Sequence, residues 1–192
     1  MTESPREPVP PKPVFAGCLG MIAAIGTMVA IALFMIVYLE SGADTGRMVL
    51  RDYRSYAEGT IEYVGERNFY VVRLGDGSFL ALDDLDAANR AAEGRRCRVQ
   101  PLSPADPALP ELLATYRSRF SDHASGANVV FREDCNRAVY DAAGLRLDGE
   151  GRNLDRYGVG VNEDMQLVVD VSRRICTEAT PADDFTEVAC SP

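Results

Sequence analysis

The sequence predicts a mainly β, antiparallel domain carried behind one N-terminal transmembrane helix. Three observations lead there. Val14 to Leu39 is an apolar run without a charged residue, short alternating or β-rich runs recur between Thr60 and Val171, and a single helical pattern falls between Pro110 and Arg119.

The elements follow in order. Residues 1–13, including SPREPVPPKP, are Pro-rich and polar and are expected to be a disordered tail. As a helix, residues 14–39 would be about 39 Å long, more than the ~30 Å hydrocarbon core requires. The run exceeds the roughly 7–15 apolar residues of a cleavable signal, so a retained anchor is expected. Cys18 follows Phe15-Ala16-Gly17 but precedes most of the apolar run, which reads as an unmodified membrane residue and not as a lipid-attachment site. Ala16, Gly20 and Ala24 recur every four residues and would let a second helix approach.

Residues 40–59 read as a linker, with a short helix over Arg51 to Ala57. A β domain is expected over residues 60–172. Its strands fall at Thr60 to Val64, at Phe69 to Leu74 and, after the Gly75-Asp76-Gly77-Ser78 turn, at Phe79 to Leu82. Further strands are expected at Asn128 to Arg132, Val139-Tyr140, Tyr157 to Val161 and Met165 to Val171. Between them, Pro110 suits a first helical position, and Leu112, Tyr116 and Phe120 share one face. That helix either docks a partner or lies on its own core. Residues 173–192 are polar and are expected to be an irregular tail stapled by a disulfide.

Charge and cysteine usage narrow the class. The chain carries a formal net charge of −9, of which residues 1–40, with two basic and three acidic side chains, supply −1. A domain at −8 is repelled by phosphate, which excludes a nucleic-acid partner. Arg6 and Lys12 before the apolar run face Arg47, Arg51 and Arg54 after it, so basic residues leave the orientation open. Cysteines decide it. Cys97, Cys135, Cys176 and Cys190 make an even set in a membrane-targeted chain and predict two disulfides, hence a periplasmic or extracytoplasmic domain and a cytoplasmic N-terminus. Four cysteines allow three pairings.

The succession FYVVRLGDGSFLAL, then Cys97-Arg98-Val99, then FREDCNRAVYDAAG, then LDRYGVGV and LVVDV resembles the Rieske iron–sulfur domain over roughly Thr60 to Val171. The anchor helix suits the Rieske subunits of quinol oxidases. The resemblance implies an antiparallel β-sandwich and two cluster loops, each with ligands and a second cysteine. It places Cys97 and Cys135 at those second cysteines and so implies a Cys97–Cys135 bridge, leaving Cys176–Cys190 as the other pair. By chain entropy such a bridge would stabilise by around 3–4 kcal/mol.

The ligands themselves are missing. The family's four ligand positions fall on Ala92, Gly94, Glu133 and Asn136, whereas the cluster needs two thiolates and two imidazoles. His123 is the only histidine of the chain and lies outside both loops. No cofactor is expected, with a two-iron two-sulfur cluster as the alternative. Two further departures are the long insertion between the loops, which holds the helix, and Gly149-Glu150-Gly151-Arg152 where the family has a Pro-containing loop.

Neither a catalytic residue nor a metal site is expected: one histidine without a serine or thiol partner gives no hydrolytic triad, and Asp83-Asp84, Glu163-Asp164 and Asp183-Asp184 read as solvated turns. The expected function is that of a membrane-anchored, cluster-free Rieske-like protein without activity of its own, a structural or accessory subunit of a membrane electron-transfer complex. Its partners are the membrane and other subunits. Arg95, Arg96 and Arg137, beside Glu133 and Asn136, form the expected docking tip. Two alternatives stand beside it: an active Rieske electron carrier of a quinol-oxidising complex, and a thiol–disulfide redox module.

Overall fold

In a computed structural model, the described residues are 25–36, 46–90, 97–149, 151–177 and 187–190. They fall into two units, residues 1–44 and residues 45–192. In the first, a helix α1 covers residues 25–36, and its apolar side chains are exposed, Met28 and Phe34 among them. Among the described residues no helix is long and apolar enough to cross a membrane. The rest of the expected anchor, 14–24 and 37–39, lies outside them, as do Ala16, Gly20 and Ala24.

The second unit is built on β-strands. Its larger sheet has the order β1 (Arg47–Asp52), β9 (Gln166–Thr177), β8 (Arg156–Val161), β4 (Phe79–Asp83), β3 (Phe69–Arg73) and β2 (Ile61–Val64), with β10 (Glu187–Val188) paired to β9. The smaller sheet runs β5 (Val99–Pro101), β6 (Val130–Glu133), β7 (Val139–Asp141). Every pairing is antiparallel, as the alternating runs and the β3–β4 hairpin predict.

β3 explains how the sheets combine. Its sequence FYVVR lacks polar alternation because both faces are buried. Tyr70 and Val72 join Val99, Phe131, Val139 and Tyr140 of the smaller sheet in one core. Phe69 and Val71 join Val64, Ala81, Leu167 and Val169 of the curled larger sheet in another. Tyr70 and Phe131 meet edge to face across the sheets, ring centroids 5.3 Å apart. Each such ring contributes about 2–3 kcal/mol of burial.

Gly144 shows how tightly the β7–β8 connection approaches this core. Its φ of +82° strains any other residue, and a Cβ there would lie 3.1 Å from Leu82, so that side chain would have to give way.

The inserted helix α3 (Leu109–Tyr116) continues as a 3₁₀ turn over Arg117–Arg119. Leu112, Tyr116 and Phe120 pack on the first core, so the helix lies on its own domain with Phe120 buried and Leu112 and Tyr116 half-buried. The remaining short helix, α2 (Ala87–Arg90), carries no sequence signal beyond Asp86, whose carboxylate caps Asn89 N–H at 2.8 Å.

Several boundaries differ from expectation. The stretch 40–59 is not all linker: Arg47–Asp52 is β1 on the edge of the larger sheet, and Arg51 to Ala57 holds only a 3₁₀ turn over Tyr53–Ser55. Met48, Leu50 and Tyr53 pack on the second core, a tertiary contact that a six-residue run without strong alternation does not announce. The expected irregular tail begins as strand, because β9 runs on to Thr177 and β10 returns along it.

Candidate functional site

The two disulfides pair as the resemblance implies. Cys97 joins Cys135 and Cys176 joins Cys190, each with Cα atoms 5.3 Å apart. The first links the segment before β5 to the β6–β7 loop. The second ties β9 to the chain just after β10.

The β6–β7 loop is organised by Glu133. Its backbone N–H donates to Ala138 carbonyl oxygen at 2.9 Å, closing the loop as a hairpin end. The carboxylate then turns back inside. Cys135 N–H donates to Oε1 at 2.9 Å, Arg137 N–H to Oε2 at 3.1 Å, and Asn136 N–H also to Oε2. From the other loop, Asn89 Nδ2 donates to Oε1 at 3.1 Å. Glu133 is fully buried, and four N–H groups replace the water it has lost. Arg137 takes φ +60°, the left-handed turn that lets consecutive N–H groups converge on one acceptor.

Cys97 Sγ, Cys135 Sγ and a Glu133 oxygen lie within 4.8 Å of one another. As a disulfide the sulfurs are not thiolate ligands. The set does not fit a Rieske two-iron two-sulfur cluster: the carboxylate is engaged with N–H donors, the sulfurs with each other, and the chain has one histidine where two imidazoles are needed. Asn136 and Arg137 are exposed at the loop surface. Ala92, Gly94, Arg95 and Arg96 lie outside the described residues.

Behind the tip lies a buried ionic layer that sequence reading missed. Asp83 and Asp84, expected as a solvated turn, are 1% and 0% exposed. Asp83 ends β4 and Asp84 follows it, where the chain crosses towards the smaller sheet, and cations cover them. Arg90 donates to Asp83 at 2.5 Å and approaches Asp155 at 3.2 Å. Arg98 Nε donates to Asp84 at 3.0 Å while stacking over Tyr63. Tyr157 hydroxyl also donates to Asp83. Burial and then the Asp83 charge push Tyr157 up to about 12. Burial pulls Arg90 down, but Asp83 and Asp155 outweigh it and hold the guanidinium charged. Glu163 and Asp164 are exposed in the β8–β9 turn, as expected, and Asp183-Asp184 lies outside the described residues.

Asp141 does the same for the next turn with N–H donors: Ser121, Ala143 and Leu145 reach it at 2.8, 2.9 and 2.9 Å. Burial pushes its carboxyl up, and these bonds draw it partly back.

His123 stands elsewhere. Its Nδ1 is 3.1 Å from Asp76 Oδ2, beside a cleft of about 660 Å³ between the β3–β4 turn and residues 122–129. The pairing of a loop histidine with a turn aspartate 47 residues away leaves no trace in the sequence.

The class these features define is a mainly β, two-sheet antiparallel domain whose two tip loops are joined by a disulfide. No family model matches the chain, and no curated protein matches it. Among solved structures, a chain from Mycobacterium tuberculosis described as a "putative NADH-dependent nitrite reductase small subunit" aligns at 16% identity, covering 64% of this chain and 92% of that one, with a TM-score of 0.34. A likeness of that size carries no argument about this protein.

Proposed function

We propose that this chain is a membrane-anchored Rieske-like protein without an iron–sulfur cluster, a structural or accessory subunit of a membrane electron-transfer complex. Glu133 carries the reading. At a position that the resemblance assigns to a cluster ligand, a buried carboxylate gathers the loop N–H groups, and the neighbouring cysteine is bonded to the opposite loop. Among the described residues the tip is held by this carboxylate and the disulfide, which supports a scaffold suited to contact. The partner surface is the tip, where Arg137 is exposed and Arg95 and Arg96 adjoin Cys97 in sequence. The uncharged run Val14 to Leu39 supports the anchor, and two disulfides support a periplasmic or extracytoplasmic domain.

The test is visible absorption, low-temperature EPR and iron quantification on one detergent-purified sample, with alkaline extraction of membranes alongside. Lack of iron and of a reduced-cluster signal, with the chain retained in the membrane, is the expected outcome. Stoichiometric iron would instead make the protein an electron carrier, and release by alkali would remove the anchor.

Exposure of Cys135 favours one rival, a thiol–disulfide redox module. The Glu133 carboxylate within 4.8 Å opposes it, because a fixed negative charge disfavours the attacking thiolate. Cys97→Ala separates the two: the structural reading expects lower stability with unchanged activity of the parent complex.

A further inference from the structure

The cleft beside His123 is where the first core is left open. Val72, Leu74 and Ala142 are buried at its floor, whereas Ile61, Ala127 and Val129 pack on the same core and stay partly exposed. Its volume of about 660 Å³ falls in the range of sites that enclose small organic molecules. The rim is acidic. Glu58 comes from the turn before β2, Asp76 from the β3–β4 turn and Asp122 from the 3₁₀ turn that also holds His123.

The cation that lines the cleft, Arg73, is engaged elsewhere: it donates to Tyr56 carbonyl oxygen and lies over the Phe79 ring, with both aromatic residues in the second core. Asp76 is fixed in place, since Ser78 Oγ and Ser78 N–H donate to its Oδ1 at 2.6 and 2.8 Å. Its other oxygen faces His123. An apolar floor beneath a rim that carries three carboxylates, one of them shared with His123, is complementary to an uncharged body carrying a protonated nitrogen.

We propose that this cleft is a binding site for a small organic cation, an amine with an aryl or alkyl body. The body covers Ile61 and Val129, and the ammonium lies among Glu58, Asp76 and Asp122. Anions of the same shape are rejected by the rim, and neutral analogues gain only the floor. The inference is independent of the tip and of any partner complex.

The single histidine of the chain supplies the assay, because the ring of His123 gives one reporter signal at the site. Tag-free full-length protein in non-ionic detergent is titrated at constant pH with benzylamine, benzyl alcohol and benzoate, and the His123 ring resonance is followed by NMR. Benzylamine is expected to shift it saturably with a dissociation constant on the order of millimolar. Benzyl alcohol binds more weakly, benzoate does not saturate, and added salt weakens the amine. Glu58→Gln and Asp76→Asn each weaken benzylamine by about threefold, as loss of one exposed charge contact predicts. Glu58 is exposed on its turn, so its variant reads the site even where Asp76→Asn disturbs the β3–β4 turn. Equal binding of the three probes, or no saturable shift up to about 20 mM benzylamine, overturns the proposal.

Discussion

The two ends of β6 are built on opposite principles. At its C-terminal end the chain turns around the Glu133 carboxylate, a disulfide crosses to the other loop, and each oxygen of that carboxylate has donors. At its N-terminal end Asn128 and Val129 border an open cleft with an acidic rim. The end that the family resemblance marks for chemistry is filled by protein, and the end without a motif is the one with room for a ligand.

Phe131 lies between the two ends, and its loss gives the largest expected effect. Phe131→Ala removes the ring that meets Tyr70 across the sheets and should cost about 3–5 kcal/mol in denaturant unfolding. Hydrogen exchange then rises at both ends of β6; exchange confined to one end would show that the ends are independent units.

Removing the tip disulfide comes next. Cys97→Ala with Cys135→Ala releases a link across 38 residues, worth roughly 4 kcal/mol by chain entropy, against roughly 3 for Cys176–Cys190 across 14. The two double variants are compared by thermal unfolding, and the reverse order would mean that the tip loops stay associated without their bridge.

Glu133→Ala leaves three loop N–H groups and Asn89 without their acceptor, an expected loss of about 2–3 kcal/mol. Glu133→Gln keeps one acceptor oxygen and should lose about half as much. Equal stability of both variants and the parent would show that the tip is not held by this side chain.

The smallest effect belongs to the cleft. Ser78 hydroxyl, then Ser78 N–H, then His123 hold Asp76 down to about 2 from the ordinary 3.8. A depressed acid contributes stability that is full above its unfolded value and lost as pH falls between the two. Acidification from pH 4 to pH 2 should lower the parent's unfolding temperature slightly more than that of Asp76→Asn. Because Asp76 is exposed, the difference is small, and identical acid limbs would mean that water screens the whole contact.

The strands of the middle of the domain were legible because burial writes itself into them. FYVVR and FLALD read as strands on either side of the Gly-Asp-Gly turn, and β3 and β4 form that hairpin in register Phe69 with Asp83 to Arg73 with Phe79. The short edge strands β5 and β1 were not legible, since three to six residues of mixed character acquire strand geometry only from the neighbour they pair with. Within the tip, the cysteine positions were readable, whereas the burial of Asp83, Asp84 and Glu133 was not.

By itself, then, the sequence determined the antiparallel β class, the inserted helix at Pro110 and, with one histidine in the chain, the lack of a Rieske ligand set. These depend on local pattern and composition, which need no third dimension. Tertiary structure alone decided that Asp83 meets Arg90 and Tyr157, that four donors surround Glu133, and that Asp76 and His123 share a cleft. Each of those joins groups from separate elements, and whether a charge is solvated, paired or aimed at a ligand is fixed by what the fold brings beside it.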